Sequence, residues 1–173
     1  MDFSKSFEEV LKKNFKGNFK ENFKELKNVL SKKEIDNKEY ASVVSKLFII
    51  DFYTLNNKTS INDIGSVQFV YSSYKSDFVD YAREGIYKQV KSNLDNDRSQ
   101  DLPEVKSVTI DSIEEIVPST ELKSDDFKNV TDPEAYKVKI SWDYTKSNDF
   151  QTSATMVIVK DGEKLSVAKL EDE

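Results

Sequence analysis

The hydrophobic pattern of this 173-residue chain changes once, near residue 104, and that change constrains the fold more than any other feature. Before it, apolar residues recur every three or four positions, which is the spacing of helices. After it, apolar and polar residues alternate, which is the spacing of half-buried strands. The pattern therefore predicts an α+β fold, in which three N-terminal helices pack on one face of a curved four-stranded antiparallel sheet.

The first predicted helix covers residues 3–30 and carries one apolar stripe among lysines, glutamates and asparagines. The stripe consists of Phe3, Phe7, Leu11, Phe15, Phe19, Phe23, Leu26 and Leu30. Two interpretations fit it: a helix that lies on a membrane surface, or a helix that packs across its own domain. We favour the second, because amphipathic helices usually bury their stripe on the parent fold.

The second and third predicted helices cover residues 37–56 and 73–93. The second begins after a capping residue, Asp36 or Asn37, and is apolar around most of its circumference. Its narrow polar face is predicted to be Ser42, Ser45 and Lys46. A helix of this kind is expected to be covered on several sides.

Four strands are predicted in the second half of the chain, over residues 105–117, 136–144, 150–160 and 164–170. In the first of them the apolar residues change parity, which predicts a β-bulge near Ser112. The pair Asp161-Gly162 predicts a tight hairpin between the last two strands. Connections this short make the last three strands an antiparallel meander.

Composition excludes several kinds of chemistry. With no cysteine and no histidine, the chain offers no disulfide framework, thiol catalysis, histidine acid–base chemistry or histidine-based zinc site. No glycine-rich phosphate loop is present either. No stretch of about 18 apolar residues exists, and residues 1–30 lack the apolar core of a signal peptide. We therefore expect either a cytoplasmic protein or one whose membrane anchor lies outside this sequence.

Charge is unevenly distributed along the chain. Residues 1–33 carry nine lysines and five acidic residues, a net +4, whereas residues 34–173 carry seventeen basic and twenty-seven acidic residues, a net −10. An acidic body repels phosphate backbones, so we expect no nucleic-acid partner. We interpret residues 1–33 as a basic amphipathic arm that could lie near an anionic membrane, and residues 34–173 as the folded domain.

The element order, the aromatic strand 135–142 and the hairpin 160–165 resemble the NTF2-like (cystatin-like) superfold. Within it, the layout over about residues 34–171 is similar to the ectodomains of membrane-anchored Gram-positive proteins, including conjugation components of the VirB8/TcpC type. The resemblance implies a cone-shaped cavity between sheet and helices. Some members of this superfold are enzymes and others only bind or assemble, so fold alone does not select a function.

Asp51 is the most unusual residue of the predicted helices, because it lies on an apolar face of the second one. A carboxylate there must be paired, hydrogen-bonded or protonated. One hypothesis makes it the acid–base residue of an isomerase- or dehydratase-like enzyme. The other, which we favour, makes it a structural acceptor for a tyrosine hydroxyl or for Arg83.

Aromatic residues are the other candidates for a site. Together with Asp51 and Arg83, the predicted pocket residues are Tyr53, Tyr81, Tyr136, Trp142 and Tyr144, although the same aromatic residues could simply fill the core. The acidic stretch 95–101 resembles the start of a calcium loop but has Gln100 where glycine is needed and Lys106 where a bidentate glutamate is needed. We therefore predict no metal and no cofactor.

The sequence leads to one preferred function and two alternatives. We expect a non-catalytic extracytoplasmic domain, tethered near its N-terminus, that binds a partner protein, a peptide or a small envelope ligand. The first alternative is the small enzyme that uses Asp51. The second is an assembly component of a conjugation or secretion machine.

Overall fold

The computed structural model describes residues 18–172, which form three α-helices followed by one sheet. Helices α1, α2 and α3 span Asn18–Ser31, Asn37–Tyr53 and Lys75–Glu84. Strands β1, β2, β3 and β4 span Val105–Ile116, Ala135–Tyr144, Ser153–Asp161 and Lys164–Asp172. The predicted α+β class, with three helices before a four-stranded antiparallel sheet, is confirmed. The part of the first predicted helix before residue 18 lies outside the described residues.

Helix α1 turns its apolar stripe towards the protein core. Phe19, Phe23, Leu26 and Val29 are buried and belong to the same continuous core as α2. The rings of Phe19 and Phe23 stack with 6.2 Å between their centroids. From residue 18 onwards the stripe is therefore used inside the molecule.

Helix α2 is the central helix, and twelve of its seventeen residues are buried. Asp36 caps it as predicted, accepting hydrogen bonds from the backbone N–H groups of Lys38 (3.0 Å) and Glu39 (3.2 Å). The predicted polar face is wrong at Ser45, which is fully buried. Its hydroxyl donates to the carbonyl of Ala41 at 2.7 Å, and this bond makes burial of a serine tolerable.

Helix α3 is shorter than the predicted helix over 73–93. It ends at Glu84, and a 3₁₀ turn over Ile86–Gln89 follows Gly85. The backbone N–H of Gly85 donates to the carbonyls of Tyr81 and Ala82 and closes the helix. The break directs Tyr87 into the core, where its hydroxyl donates to the Phe52 carbonyl at 2.7 Å.

The sheet is a simple meander with strand order β1-β2-β3-β4. The pairing of β1 with β2 shifts between Ile110 and Ser112, so the predicted bulge is confirmed. The β3–β4 hairpin closes through Gly162, which has φ +65°, a value that favours glycine at the first position of a two-residue turn. The third strand begins at Ser153, three residues later than predicted.

Helix α2 packs across all four strands and covers the inner face of the sheet. Trp142 on β2 is only 3% exposed, and its ring lies 4.6 Å from that of Tyr53 on α2. Part of the outer face is covered as well. A second apolar cluster there joins the β1–β2 connection to β2 and β3; its buried members are Leu122, Phe127, Ala135, Val157 and Val159. No helix within residues 18–172 has the length and apolar character to cross a membrane.

Candidate functional site

A pocket of about 260 Å³ lies between α3 and the edge strand β4, over the side chain of Phe48 from α2. Its walls are mostly apolar and aromatic, and they come from three parts of the chain. The lining residues are Phe48, Val70, Tyr74, Asp77, Phe78, Tyr81, Val167, Ala168, Lys169 and Leu170. The base is buried, whereas Asp77 and Tyr81 at the rim are exposed, Tyr81 to 50%. The pocket therefore opens to solvent.

The segment before α3 holds that helix beside β4. Val70 forms a parallel bridge with Val167, and the backbone N–H of Tyr71 donates to the Val167 carbonyl at 2.8 Å. The next residue, Ser72, donates from its backbone N–H (3.0 Å) and its hydroxyl (2.9 Å) to the Asp161 carboxylate at the β3–β4 turn. These contacts directly follow the bridge, and they hold the start of α3 beside β4.

Beyond Val167 the outer edge of β4 is open as far as the described residues are concerned. The strand is the last in the sheet, and within residues 18–172 no other strand pairs with its outer edge from Ala168 to Asp172. Ala168, Lys169 and Leu170, which belong to this edge, also line the pocket and are half-buried. An exposed strand edge is a template for pairing with another chain. The pocket and the open edge are thus parts of one surface, which we call the α3–β4 face.

A cluster of charged side chains lies next to the α3–β4 face, on the outer face of the sheet. Lys169 lies 2.9 Å from Glu171 and 3.7 Å from Glu121, and Lys137 donates to Glu121 at 2.9 Å. The hydrogen bond from Lys137 and the nearby positive charges hold the pKa of Glu121 below its ordinary value. The Lys169 ammonium is therefore held on the outer face of β4 by two carboxylates.

Asp51 does not line this pocket. It is 2% exposed, and its carboxylate accepts from the Lys58 ammonium at 3.0 Å and from the Ser66 backbone N–H at 2.8 Å. The expected partners, a tyrosine hydroxyl or Arg83, are wrong: Arg83 is exposed on α3, and the ion-pair partner is Lys58. The pairing was missed because Lys58 lies in the connector after α2, where a lysine is normally solvated.

Lys58 also caps the C-terminal end of α2. Its ammonium donates to the carbonyls of Asp51 (2.8 Å) and Thr54 (2.8 Å) and to the Asn57 side chain (2.8 Å). Lys58 is 4% exposed, so these acceptors replace its hydration. The arrangement neutralises Asp51 and satisfies helix carbonyls that would otherwise lack donors.

Tyr53, Trp142 and Tyr144 do come together, on the other side of α2. The Trp142 Nε1–H donates to the Tyr144 hydroxyl at 3.0 Å, and that hydroxyl donates to the Gln151 carbonyl. Burial raises the pKa of Tyr144 to about 12. Tyr53 and Trp142 are buried, with ring centroids 4.6 Å apart. This cluster fills the space between sheet and helix.

The remaining predicted pocket residues are separate. Tyr81 lines the α3–β4 pocket, Tyr136 is half-buried on β2, and Arg83 is exposed. Phe78 and Leu170, which line the pocket, were not among the candidates. Phe78 lies within the predicted helix over 73–93, but the sequence contains no signal that places that helix against the end of β4.

The acidic stretch at residues 95–101 is organised around Arg98. The guanidinium donates to the carbonyls of Lys58 (2.7 Å), Lys91 (2.9 Å) and Asn56 (3.0 Å), and it fixes the loop against the connector that follows α2. Asp101 lies 3.5 Å from Lys146. Across the described part of the chain, no three acidic side chains are grouped as a metal site would require.

Comparisons with known proteins give no match for this sequence or for this fold. No family model matches the sequence, no curated protein aligns with it significantly, and no solved structure matches its fold significantly.

Proposed function

We propose that this chain is a non-catalytic binding domain that receives an apolar side chain of a partner protein or peptide on the α3–β4 face. The observation that carries the proposal is the pocket itself, which combines a buried apolar base with an exposed rim and an adjoining open strand edge. Binding sites typically join an apolar recess to a few polar groups at its margin. Asp77 provides such a group here.

The size of the pocket favours one side chain over a larger ligand. Pockets for drug-sized molecules span about 300–1,000 Å³, and this one measures about 260 Å³. One aromatic or large aliphatic side chain is a suitable occupant. The neighbouring strand edge supplies what a peptide backbone would need, namely N–H and C=O groups with which no strand in residues 18–172 pairs.

The space between sheet and helix offers less support for ligand binding. Tyr53 on α2 and Trp142 on β2 are buried there with their rings in direct contact. The enzyme alternative depends on Asp51, whose two carboxylate oxygens already accept hydrogen bonds from Lys58 and the Ser66 backbone. A substrate would have to displace those donors before it could exchange a proton with Asp51.

We extend the proposal to family and location. Membership of the NTF2-like superfold is supported by three helices that precede a four-stranded meander. A position near an anionic membrane surface is supported by the charge asymmetry between residues 1–33 and 34–173. We place the domain outside the cytoplasm, with assembly of a conjugation or secretion machine as an alternative role, on the resemblance to membrane-anchored ectodomains alone.

The binding proposal is tested by titrating the ¹⁵N-labelled protein with N-acetyl-tyrosinamide. At about 0.3 kcal/mol per heavy atom, a ligand of this size binds with a dissociation constant on the order of 1 mM. We expect saturable shifts of the backbone amides of Phe78, Tyr81 and Leu170. Tyr81→Ala should weaken binding several-fold, whereas Arg83→Ala, on the same helix but outside the pocket, should not. Shifts confined to Trp142 and its neighbours would contradict the proposal.

A further inference from the structure

The open edge of β4 carries a charge pattern that is complementary to itself. Lys169 and Glu171 flank Leu170, and the alternation of a strand puts both charges on one face and Leu170 on the other. The contacts agree, because Lys169 joins Glu121 on the outer side while Leu170 packs against the main core and the pocket.

We propose that the partner bound by the α3–β4 face is a second copy of this chain, whose β4 pairs antiparallel with β4 about a two-fold axis at Leu170. The inference rests on the proposed function and names its partner. In this register Lys169 lies opposite Glu171 of the partner subunit, and Glu171 lies opposite Lys169 of the partner subunit. Leu170 lies beside Leu170 of the partner subunit, on the face that carries the pocket. Directly opposed side chains in antiparallel strands are close enough to interact.

Charge also specifies the register. A two-fold axis at Lys169 would place two lysines directly opposite each other, and an axis at Glu171 would place two glutamates opposite each other. Both arrangements are destabilising. To match this edge equally well, a strand of another protein would need a basic, an apolar and an acidic residue in that order from its N-terminal side. The sequence Lys169-Leu170-Glu171 has that order.

The expected interface is symmetric and small. The pairing involves residues 168–172 of each chain, and the two sheets join into one of eight strands because each contributes four. An interface of this extent falls below about 1,200 Å² in total, a size typical of transient contacts. We therefore expect a dimer with micromolar affinity, visible only at raised protein concentration.

Two charge-reversal variants test the proposal, so that the result does not depend on the correct folding of a single variant. Lys169→Glu gives the edge two acidic residues, and Glu171→Lys gives it two basic ones. Each variant alone should form its homodimer at least about tenfold more weakly than the unmodified chain, because both attractive pairs become repulsive. Mixed in equal amounts, the two variants should form a heterodimer, since every opposed pair is again one lysine and one glutamate.

Sedimentation velocity of the full chain, from low micromolar to near-millimolar concentration, gives the readout. Recovery of the dimer in the mixture supports the proposal, and unfolded variants could not produce it. Lys139→Glu, an exposed change on β2, is the matched control and should dimerise normally. A monomeric unmodified protein over the whole range, or a mixture that stays monomeric, overturns the proposal. If N-acetyl-tyrosinamide still binds the pocket of that monomer, the proposed function survives without this partner.

Discussion

Replacing Lys58 with methionine should be among the most damaging single changes in this protein. The substitution keeps most of the aliphatic stem but removes the ammonium that contacts Asp51, Thr54 and Asn57. The Asp51 carboxylate would then be buried without its counter-charge. Breaking a buried ion pair on one side costs about 3–5 kcal/mol. Lost capping of the two helix carbonyls adds to this cost, so we expect a loss of about 4 kcal/mol in the free energy of unfolding.

A second substitution separates the charge from the packing. In the double variant Asp51→Asn, Lys58→Met the buried group is neutral, so the double variant should be about 2 kcal/mol more stable than Lys58→Met alone.

Urea unfolding followed by the fluorescence of Trp142 provides the measurement, because the chain has one tryptophan and it is buried. Lys88→Met, a change at an exposed lysine, is the control and should alter stability by less than about 0.5 kcal/mol. If Lys58→Met lost no more stability than this control, the buried pair would not hold the end of α2. If the double variant lost as much as the sum of the two single variants, the charge argument would be refuted.

Three further changes address other parts of the fold, each measured by the same unfolding experiment. A Cβ at Gly65 would lie 2.5 Å from the Asp51 carbonyl oxygen, so Gly65→Ala should lower the free energy of unfolding by about 2 kcal/mol. Asn62→Ala, an exposed change in the same connector, is the control and should alter stability by less than about 0.5 kcal/mol. Phe23→Ala should cost about 3 kcal/mol if α1 packs in the core, while Lys24→Ala should be nearly neutral; equal effects would contradict that packing. Tyr144→Phe should cost about 1 kcal/mol through the lost hydrogen bonds. Burial raises the pKa of Tyr144 in the folded protein to about 12. Its contribution to stability is therefore complete below the ordinary pKa of tyrosine and is lost as the pH rises through about 12. The stability of the Phe variant should lack this part of the decrease at alkaline pH.

Local sequence patterns predicted the fold because strand alternation, helix capping and turn formation each depend on neighbouring residues. Alternation along residues 136–144 identified β2, a change of parity located the bulge before Ser112, and Asp36 marked the start of α2. Each of these signals depends on residues close together in the chain. The same holds for the hairpin at Gly162.

The candidate site was less predictable because it depends on distant segments. Asp51 was identified as a buried carboxylate that needs a partner, yet nothing in the sequence assigned Lys58 to it. The periodicity of Phe78 and Ala82 continued through Ile86, and it concealed the break that Gly85 introduces. The pocket forms where α3 meets the end of β4, and this meeting depends on the bridge between Val70 and Val167.

The order of elements along the chain has a consequence for biosynthesis. The most apolar helix, α2, is translated well before the four strands that shelter it. Until the last strand leaves the ribosome, that helix has no complete surface to cover it, and such exposed segments are prone to aggregate. We therefore expect newly made chains to depend on chaperones, and truncations within the final hairpin to accumulate as insoluble protein even though they keep every helix.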